Sequence, residues 1–157
     1  MPELPEVTVI VNSLNKKLKG LVFSGVEYDW EKKFYWGKFS IKDLKGRKIE
    51  RVRRMGKVIV IETDKIALVI HLKLTGQLIY LDKKTRIAGG HPIPPLNKPV
   101  PNSSTRVTFA FTNGGHLYFN DLRKFGWVKV VLPTEEGIKS AIGAELGPDP
   151  LTMKYEE

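Results

Sequence analysis

The sequence contains no cysteine, so it can form no disulfide and offers no thiolate ligand to a metal ion. No stretch approaches 18 uninterrupted apolar residues, which excludes a transmembrane helix. The first residues also lack the basic segment and apolar run of a signal peptide. We therefore expect no membrane partner and an intracellular location.

Acidic residues are also scarce relative to basic ones. The chain has 17 Asp and Glu against 26 Lys and Arg, which gives a formal net charge of +9. Such an excess suits a polyanionic partner, most often nucleic acid. Basic proteins of membrane surfaces share this balance, but they usually show an amphipathic basic helix, and none stands out here. A basic surface that is merely solvated remains an alternative on charge alone.

The apolar pattern predicts one helix followed by strands. The 157 residues, 41% of them hydrophobic, suffice for one domain with its own core. A 3.6-residue apolar period predicts an amphipathic helix over residues 5–18, ended by Gly20. Eight short segments rich in Val, Ile, Phe and Tyr then predict strands. They are residues 21–28, 48–55, 57–63, 66–72, 77–82, 106–112, 116–120 and 127–131.

We therefore expect a mainly β fold with α: an antiparallel β-sandwich of about eight strands with a long N-terminal helix. Residues 83–104 hold five of the ten prolines within 92–101 and are predicted to form a long surface loop. A short helix is predicted after Thr134.

The start of the chain carries a candidate nucleophile. If Met1 is removed, Pro2 presents a secondary amine, and a terminal amine has a pKa of about 7.7–8.0. Attack of that amine on a sugar C1′ or an aldehyde gives an iminium, and Glu3 beside it can pass protons. While Met1 remains, the Pro2 nitrogen is a tertiary amide without a basic lone pair. The alternative is that Pro2 and Pro5 only frame the start of the helix, with Glu3 and Glu6 favouring its positive N-terminal end.

Two further segments could meet a nucleic acid, and each has a structural alternative. Lys57 precedes a hydrophobic strand, where it could reach a phosphate or a departing sugar oxygen, or simply be solvated. His71 could contact a phosphate or be a structural histidine. Leu74 could act as an apolar wedge between bases or belong to the core.

A third segment combines cations with an aromatic ring. Arg123 could replace the pairing partner of an extruded base, and Phe125 could stack in the gap.

Five segments, taken in order, closely resemble the motifs of the formamidopyrimidine-DNA glycosylases. They are Met1-Pro2-Glu3-Leu4-Pro5-Glu6-Val7, Arg53-Arg54-Met55-Gly56-Lys57, His71-Leu72-Lys73-Leu74-Thr75-Gly76, Asp121-Leu122-Arg123-Lys124-Phe125-Gly126 and Leu146-Gly147-Pro148-Asp149-Pro150-Leu151. Leu4, where the related endonuclease VIII branch has another residue, favours the formamidopyrimidine branch.

The resemblance implies a bifunctional DNA glycosylase and abasic-site lyase. Pro2 would displace the damaged base through a Schiff base, Glu3 would donate a proton during ring opening, and Glu6 would support the same site. Lys57 would contact phosphate and assist base release or β-elimination. The substrate would be damaged double-stranded DNA that contains oxidised purines such as 8-oxoguanine and formamidopyrimidines.

The same resemblance implies the DNA contacts. Leu74, Arg123 and Phe125 would fill the space left by the flipped nucleotide, and His71 would contact the backbone. A contact that many members make with a histidine is either lost here or moved to Arg106. The family's four-cysteine zinc finger is absent from these residues, so we expect no metal or other cofactor here. We expect a monomer in the cytoplasm of a bacterium, associated with the nucleoid.

Several positions depart from the family motifs. Leu74 stands where methionine is usual, Lys73 replaces glycine, Leu122 replaces proline, and Lys124 replaces arginine. The helix–two-turn–helix domain of the family is also absent from residues 1–157. We therefore expect an N-terminal catalytic domain with weak DNA binding and little glycosylase activity by itself. The competing hypothesis is a non-catalytic β-domain that binds damaged or single-stranded nucleic acid.

Overall fold

A computed structural model of the chain describes residues 4–30, 32–73, 75–91 and 95–143, with only the backbone of residues 4–6. These residues form three helices: α1 (Leu4–Leu18), α2 (Ile41–Leu44) and α3 (Glu135–Ile142). They also form ten strands: β1 (Phe23–Tyr28), β2 (Phe34–Tyr35), β3 (Arg51–Met55), β4 (Val58–Glu62), β5 (Ala67–His71), β6 (Gly76–Leu81), β7 (Arg86–Gly90), β8 (Thr105–Phe111), β9 (His116–Asp121) and β10 (Trp127–Val131). Within this part of the chain, no helix is long and apolar enough to cross a membrane.

The strands form two five-stranded sheets. Sheet 1 has the order β1-β8-β9-β6-β7, and sheet 2 has the order β2-β10-β5-β4-β3. Neighbours are antiparallel except β2 and β10, which run parallel. Fully buried side chains of both sheets, such as Phe109 and Phe119 from sheet 1 and Leu68 from sheet 2, share one core. The expectation of a mainly β sandwich with a long N-terminal helix is confirmed, with two strands more than predicted.

Helix α1 closes one open side of the sandwich. Its predicted apolar stripe is buried, with Val7, Ile10 and Leu14 no more than 4% exposed. The stripe packs against β3 of sheet 2 and β7 of sheet 1, which are edge strands on the same side. At the C-terminal half of α1, the Asn15 amide oxygen accepts a hydrogen bond from the Val52 N–H at 2.7 Å. The helix therefore joins the two sheets.

Strand β7 corrects the predicted loop over residues 83–104. Gly89 lies directly under Ile10 of α1, because a Cβ at this position would lie 2.5 Å from the Ile10 Cδ1 atom. Gly90 has a φ of +114°, and a Cβ there would lie 2.4 Å from the Gly76 carbonyl oxygen. Glycine is a poor strand former, so the sequence gives little β signal here. The packing of α1 requires Gly89, and the close approach of the β6 backbone requires Gly90.

Helix α3 covers part of the outer face of sheet 2. Ile138 and Ile142 pack with Val60 and Trp127 in a second buried cluster. Thr134 caps the start of α3, with its side chain accepting from the Gly137 N–H at 3.0 Å. The predicted short helix after Thr134 is confirmed.

Candidate nucleic-acid interface

The predicted site residues that the structure describes gather at one end of the sandwich. His71, at the end of β5, pairs with Val58 of β4 and with Trp127 of β10. In sheet 1, Gly76 at the start of β6 pairs with Asp121 at the end of β9. We call this end, formed by residues 56–57, 71–73, 75 and 121–126, the loop edge. It brings together three of the sequence motifs.

A buried carboxylate organises the loop edge. Asp121 has no exposed surface, and its Oδ2 accepts from the Gly126 N–H at 2.7 Å. Its Oδ1 accepts from the N–H groups of Arg123 at 3.3 Å and Lys124 at 3.1 Å, and from the Thr75 hydroxyl. Thr75 belongs to the turn between β5 and β6, and the three N–H donors belong to the loop between β9 and β10. One side chain therefore joins both predicted DNA-facing loops.

The loop between β9 and β10 turns its large side chains outward. Phe125 is 40% exposed and Leu122 is 50% exposed, while Asp121 beneath them is fully buried. The Arg123 guanidinium lies over the Phe125 ring, 5.0 Å from its centroid, in cation–π geometry. This arrangement presents a cation and an aromatic face to the exterior, as insertion into a nucleic-acid stack requires.

Gly126 ends this loop at a crowded position. A Cβ on Gly126 would lie 2.5 Å from the His71 carbonyl oxygen and 2.8 Å from the Phe119 ring. Only glycine fits between the two sheets at this point. The loop is thus fixed at its start by Asp121 and at its end by Gly126.

Lys57 lies in the turn between β3 and β4. Met55 and Val58 are paired, so Gly56 and Lys57 form a two-residue hairpin turn, with φ of +60° at Gly56. A positive φ at the first turn residue alone is the pattern of a type II′ turn, which matches the strand twist. The Lys57 side chain is exposed at the loop edge. Its predicted contact with phosphate stays a prediction.

His71 is held inside the structure. It is 5% exposed, its ring lies 5.5 Å from the Trp127 ring, and its Nδ1 accepts from the Lys73 N–H at 3.0 Å. In the neutral form, the proton is therefore on Nε2. These contacts give His71 a structural role, and its predicted DNA contact stays untested. Lys73 itself adopts a left-handed backbone conformation with φ of +53°.

Arg106 is also engaged within the protein. Its Nε donates to the Asp121 carbonyl oxygen at 3.0 Å, and its side chain is 12% exposed. Its guanidinium also pairs with the Asp29 carboxylate, at an N–O distance of 4.0 Å. Arg106 thus supports the backbone of Asp121, and its predicted DNA contact stays a prediction.

The direction of α1 relates the start of the chain to the loop edge. Lys17 forms an ion pair with Asp82 at 3.0 Å, beyond the last residue of β6, while Ile10 packs on Gly89 near the end of β7. Since β6 starts and β7 ends at the loop edge, α1 begins on the loop-edge side. Residues Pro2, Glu3 and Leu74, and the side chain of Glu6, lie outside the described residues.

Sequence reasoning on single residues missed Thr75 and Asp121. Both residues lie inside the family motifs. They were missed because DNA contacts were predicted from cationic and aromatic residues, and Thr75 and Asp121 are neither. The signal was the pairing of a buried strand end with a glycine-terminated loop, where a carboxylate commonly accepts loop N–H groups. Within the described part of the chain, no group of three or more His, Asp or Glu side chains is placed to hold a metal ion.

Comparisons with known proteins identify the family of the chain. The model of the formamidopyrimidine-DNA glycosylase N-terminal domain matches residues 1–128. A formamidopyrimidine-DNA glycosylase of Desulforamulus reducens is 38% identical over 164 residues, covering 99% of this chain and 52% of its own length. Another, of Wolbachia pipientis, is 34% identical over 157 residues, with 99% and 52% covered. The chain spans about half the length of the curated relatives it matches.

Solved structures of a Lactococcus lactis protein share the fold. A crystal structure of Lactococcus lactis Fpg with DNA containing an abasic site has a TM-score of 0.67 and 26% identity, covering 83% of this chain and 44% of that one. A complex of the same protein with DNA containing N7-benzyl-Fapy-dG has a TM-score of 0.67 and 27% identity, covering 84% and 44%. Together with the match over residues 1–128, these likenesses show that the chain belongs to the formamidopyrimidine-DNA glycosylase family, within its N-terminal domain.

Proposed function

We propose that this chain is the catalytic domain of a base-excision DNA glycosylase and abasic-site lyase that removes oxidised purines, such as 8-oxoguanine and formamidopyrimidines, from duplex DNA. Pro2 is the nucleophile after Met1 is removed. The observation that carries the proposal is the Asp121 carboxylate, which joins the turn after His71 to the loop of Arg123 and Phe125. An enzyme that extrudes a base from a duplex needs its gap-filling groups held in fixed positions, and this carboxylate supports that role for the two loops.

The proposed chemistry begins at the amine of Pro2. Its lone pair attacks C1′ of the damaged nucleoside, the glycosidic bond breaks, and the base leaves with a proton. Ring opening of the sugar, with Glu3 as proton donor and Glu6 in support, gives an iminium between Pro2 and C1′. Loss of a C2′ proton then expels the 3′ phosphate by β-elimination, and water releases Pro2. Lys57, exposed at the loop edge, is the candidate for holding the phosphate.

The remaining roles follow from the family. Leu74, Arg123 and Phe125 occupy the space of the extruded nucleotide. His71 contacts the DNA backbone, and Arg106 makes the contact that many members make with a histidine. The Fpg structures with abasic-site and Fapy-dG-type DNA support this substrate class by analogy only. A protein with this activity acts on the genome, so we propose a location at the nucleoid of a bacterium. We also propose that the enzyme is a monomer.

Borohydride trapping tests the nucleophile. The chain without Met1, verified by mass spectrometry, is mixed with a duplex containing one abasic site and reduced. We expect a covalent protein–DNA adduct, and no adduct from the same chain with Met1 retained. An adduct of equal yield with Met1 retained would contradict the role of Pro2. Release of 8-oxoguanine from a duplex then tests the substrate class.

A binding module remains the second candidate, favoured by the outward Arg123–Phe125 pair alone. It predicts that the chain without Met1 binds an abasic-site duplex yet gives neither adduct nor strand nicking. Removing the pair with Arg123→Gln and Phe125→Ala should weaken binding in both hypotheses. The enzyme hypothesis also predicts that this double variant gives less covalent adduct than the unmodified chain at saturating protein. The binding-module hypothesis predicts no adduct from either protein.

A further inference from the structure

A second group of cations lies at the opposite end of the sandwich from the loop edge. Lys17 at the end of α1, Lys83 and Lys84 in the turn between β6 and β7, and the turn at Asn113 and Gly114 between β8 and β9 line a depression of about 300 Å³. Strand β6 separates this depression from the loop edge by six residues, or about 20 Å at the rise of a strand.

Backbone contacts bring further lysines to the same end. The Gly20 N–H donates to the Ile49 carbonyl at 2.8 Å, and Val22 forms a bridge with Lys48. The Thr112 N–H donates to the Val22 carbonyl at 2.9 Å, which places the turn at Asn113 beside Lys48. We call the whole group the lysine end. Its members are Lys16, Lys17, Lys19, Lys48, Lys83 and Lys84.

The depression has a fixed frame. Asp82 accepts from the N–H groups of Lys84 at 2.8 Å and Thr85 at 2.7 Å through Oδ1, and from the Tyr80 hydroxyl at 2.7 Å through Oδ2. Lys17 pairs with the same Oδ2 at 3.0 Å. The Tyr80 hydroxyl in turn accepts from the Asn113 amide at 3.0 Å. These bonds join α1 to both turns without using the side chains of Lys83 and Lys84.

The charges of the lysine end are largely uncompensated. The Asp82 carboxylate pairs with Lys17, and among the described residues no acidic side chain lies within ion-pair distance of the other five lysines. Lys16, Lys19, Lys48, Lys83 and Lys84 are all exposed. Like charges gathered at one end of a protein raise its free energy, and a bound polyanion relieves that cost.

We propose that the lysine end is a second, sequence-independent binding surface for the phosphate backbone of duplex DNA. The loop edge faces the damaged site, and one straight duplex on that edge does not also reach lysines about 20 Å behind it. The lysine end therefore binds a second duplex segment, and the protein bridges two segments. Such a surface keeps the domain on DNA between lesions, because phosphate contacts supply non-specific affinity.

The test compares two charge-matched double variants on undamaged duplex DNA, so catalysis plays no part. Lys83→Gln/Lys84→Gln removes two charges from the lysine end and spares the Asp82 network. The control, Lys38→Gln/Lys139→Gln, removes two exposed charges that lie near β10 of sheet 2 and do not belong to the lysine end. Fluorescence anisotropy with a labelled 30-base-pair duplex gives the slope of log K against log salt concentration.

We expect the slope to become shallower by about 0.9 for each phosphate that the lysine-end variant no longer neutralises, and to change less in the control. A second readout is capture of a free labelled duplex by protein held on an immobilised duplex, which should fail with the lysine-end variant. Equal slopes and equal capture in both variants would overturn the proposal. Stronger binding of the lysine end to vesicles of anionic lipid than to duplex would overturn the choice of partner.

Discussion

At the scale of single residues, Asp121 joins two loops of the candidate interface. Its two carboxylate oxygens accept four hydrogen bonds, from Thr75, Arg123, Lys124 and Gly126, in a place without solvent. A carboxylate satisfies four donors because it has about four acceptor sites and no proton of its own. An amide in the same place would turn one acceptor into a donor.

Replacing Asp121 by asparagine should therefore destabilise the protein. At least one buried donor loses its partner, so we expect Asp121→Asn to lower the free energy of unfolding by about 2 kcal/mol. Urea denaturation measures this change. The control is Asp29→Asn, because that side chain is 67% exposed and should change stability by less than about 0.5 kcal/mol. Equal losses in the two variants would contradict the role of the carboxylate.

Lys73 shows how a departure from the family pattern is accommodated. Glycine is usual at this position in the family motif, and the backbone here keeps the left-handed conformation that glycine adopts without cost, with φ of +53°. A residue with a Cβ in this conformation carries a strain of about 1 kcal/mol. Lys73 therefore places a charge next to His71 and carries this backbone strain.

The strain predicts an inverted order of stability between glycine and alanine. We expect Lys73→Gly to be more stable than Lys73→Ala by about 1 kcal/mol, because both lose the charge and only alanine keeps the strain. At Lys139, inside α3, the order should be normal, with alanine more stable than glycine by about 1 kcal/mol. Thermal unfolding of the four variants decides. The same order at both positions would rule out the strain.

At the scale of elements, the contact of α1 with β7 positions the start of the chain. Ile10 fills the space above Gly89, so the helix lies close to the edge strand. The spacing depends on the missing side chain, since protein interiors leave few gaps. A larger residue at position 89 would push α1 away from sheet 1.

A double-mutant cycle measures this packing. Gly89→Ala places a methyl group 2.5 Å from the Ile10 Cδ1 atom and should cost about 1–3 kcal/mol of stability. Ile10→Val removes that Cδ1 atom, so the double variant should recover part of the loss. Gly25→Ala is the control, because its Cβ meets no atom within 4 Å. Additive effects at positions 10 and 89 would show that the two residues do not meet.

Periodicity predicted the elements whose stability comes from buried apolar stripes. Helix α1 carries such a stripe, and it lies where it was expected within a few residues. Strands β4 and β5 are buried along their whole length and were predicted instead from their richness in Val and Ile. Strand β7 was missed because its glycines are required by tertiary contacts: Gly89 lies under Ile10 of α1, and Gly90 lies against the backbone of β6. Strand β2 was missed because Phe34 and Tyr35 pair in parallel with β10, a long-range contact that leaves no local pattern.

The candidate site divides in the same way. Arg123 and Phe125 could be predicted from residue type, and both are outward on one loop. The contacts of His71 and Arg106 within the protein could not be predicted from residue type. They depend on the strand register, which places Trp127 beside His71 and Asp121 beside Arg106. The sequence identifies the side chains that are able to contact DNA. The pairing of the strands determines which of these side chains instead make contacts within the protein.

At the scale of the whole molecule, one ionic network joins α1 to sheet 1. The hydrogen bond from Tyr80 and the contact with Lys17 hold the pKa of Asp82 well below its ordinary value of 3.8. A lowered pKa in the folded state means that the stabilisation is complete above the ordinary pKa and is lost as pH falls through the folded value. Acid should therefore loosen α1 from sheet 1.

The pH dependence of unfolding tests this network. In urea titrations from pH 5 to pH 2, we expect the stability of the unmodified chain to fall more steeply than that of Asp82→Asn. The variant should be less stable at pH 5 and converge with the unmodified chain at low pH. Parallel curves for the two proteins would show that Asp82 does not contribute.

The shared carboxylate of Asp121 has an evolutionary consequence. Because the turn with Thr75 and the loop with Gly126 satisfy the same group, the effect of a substitution in one depends on the sequence of the other. Their residues should change together among homologues. An engineer who transplants one of them from a relative must transplant its companion, since the two form a single inherited unit.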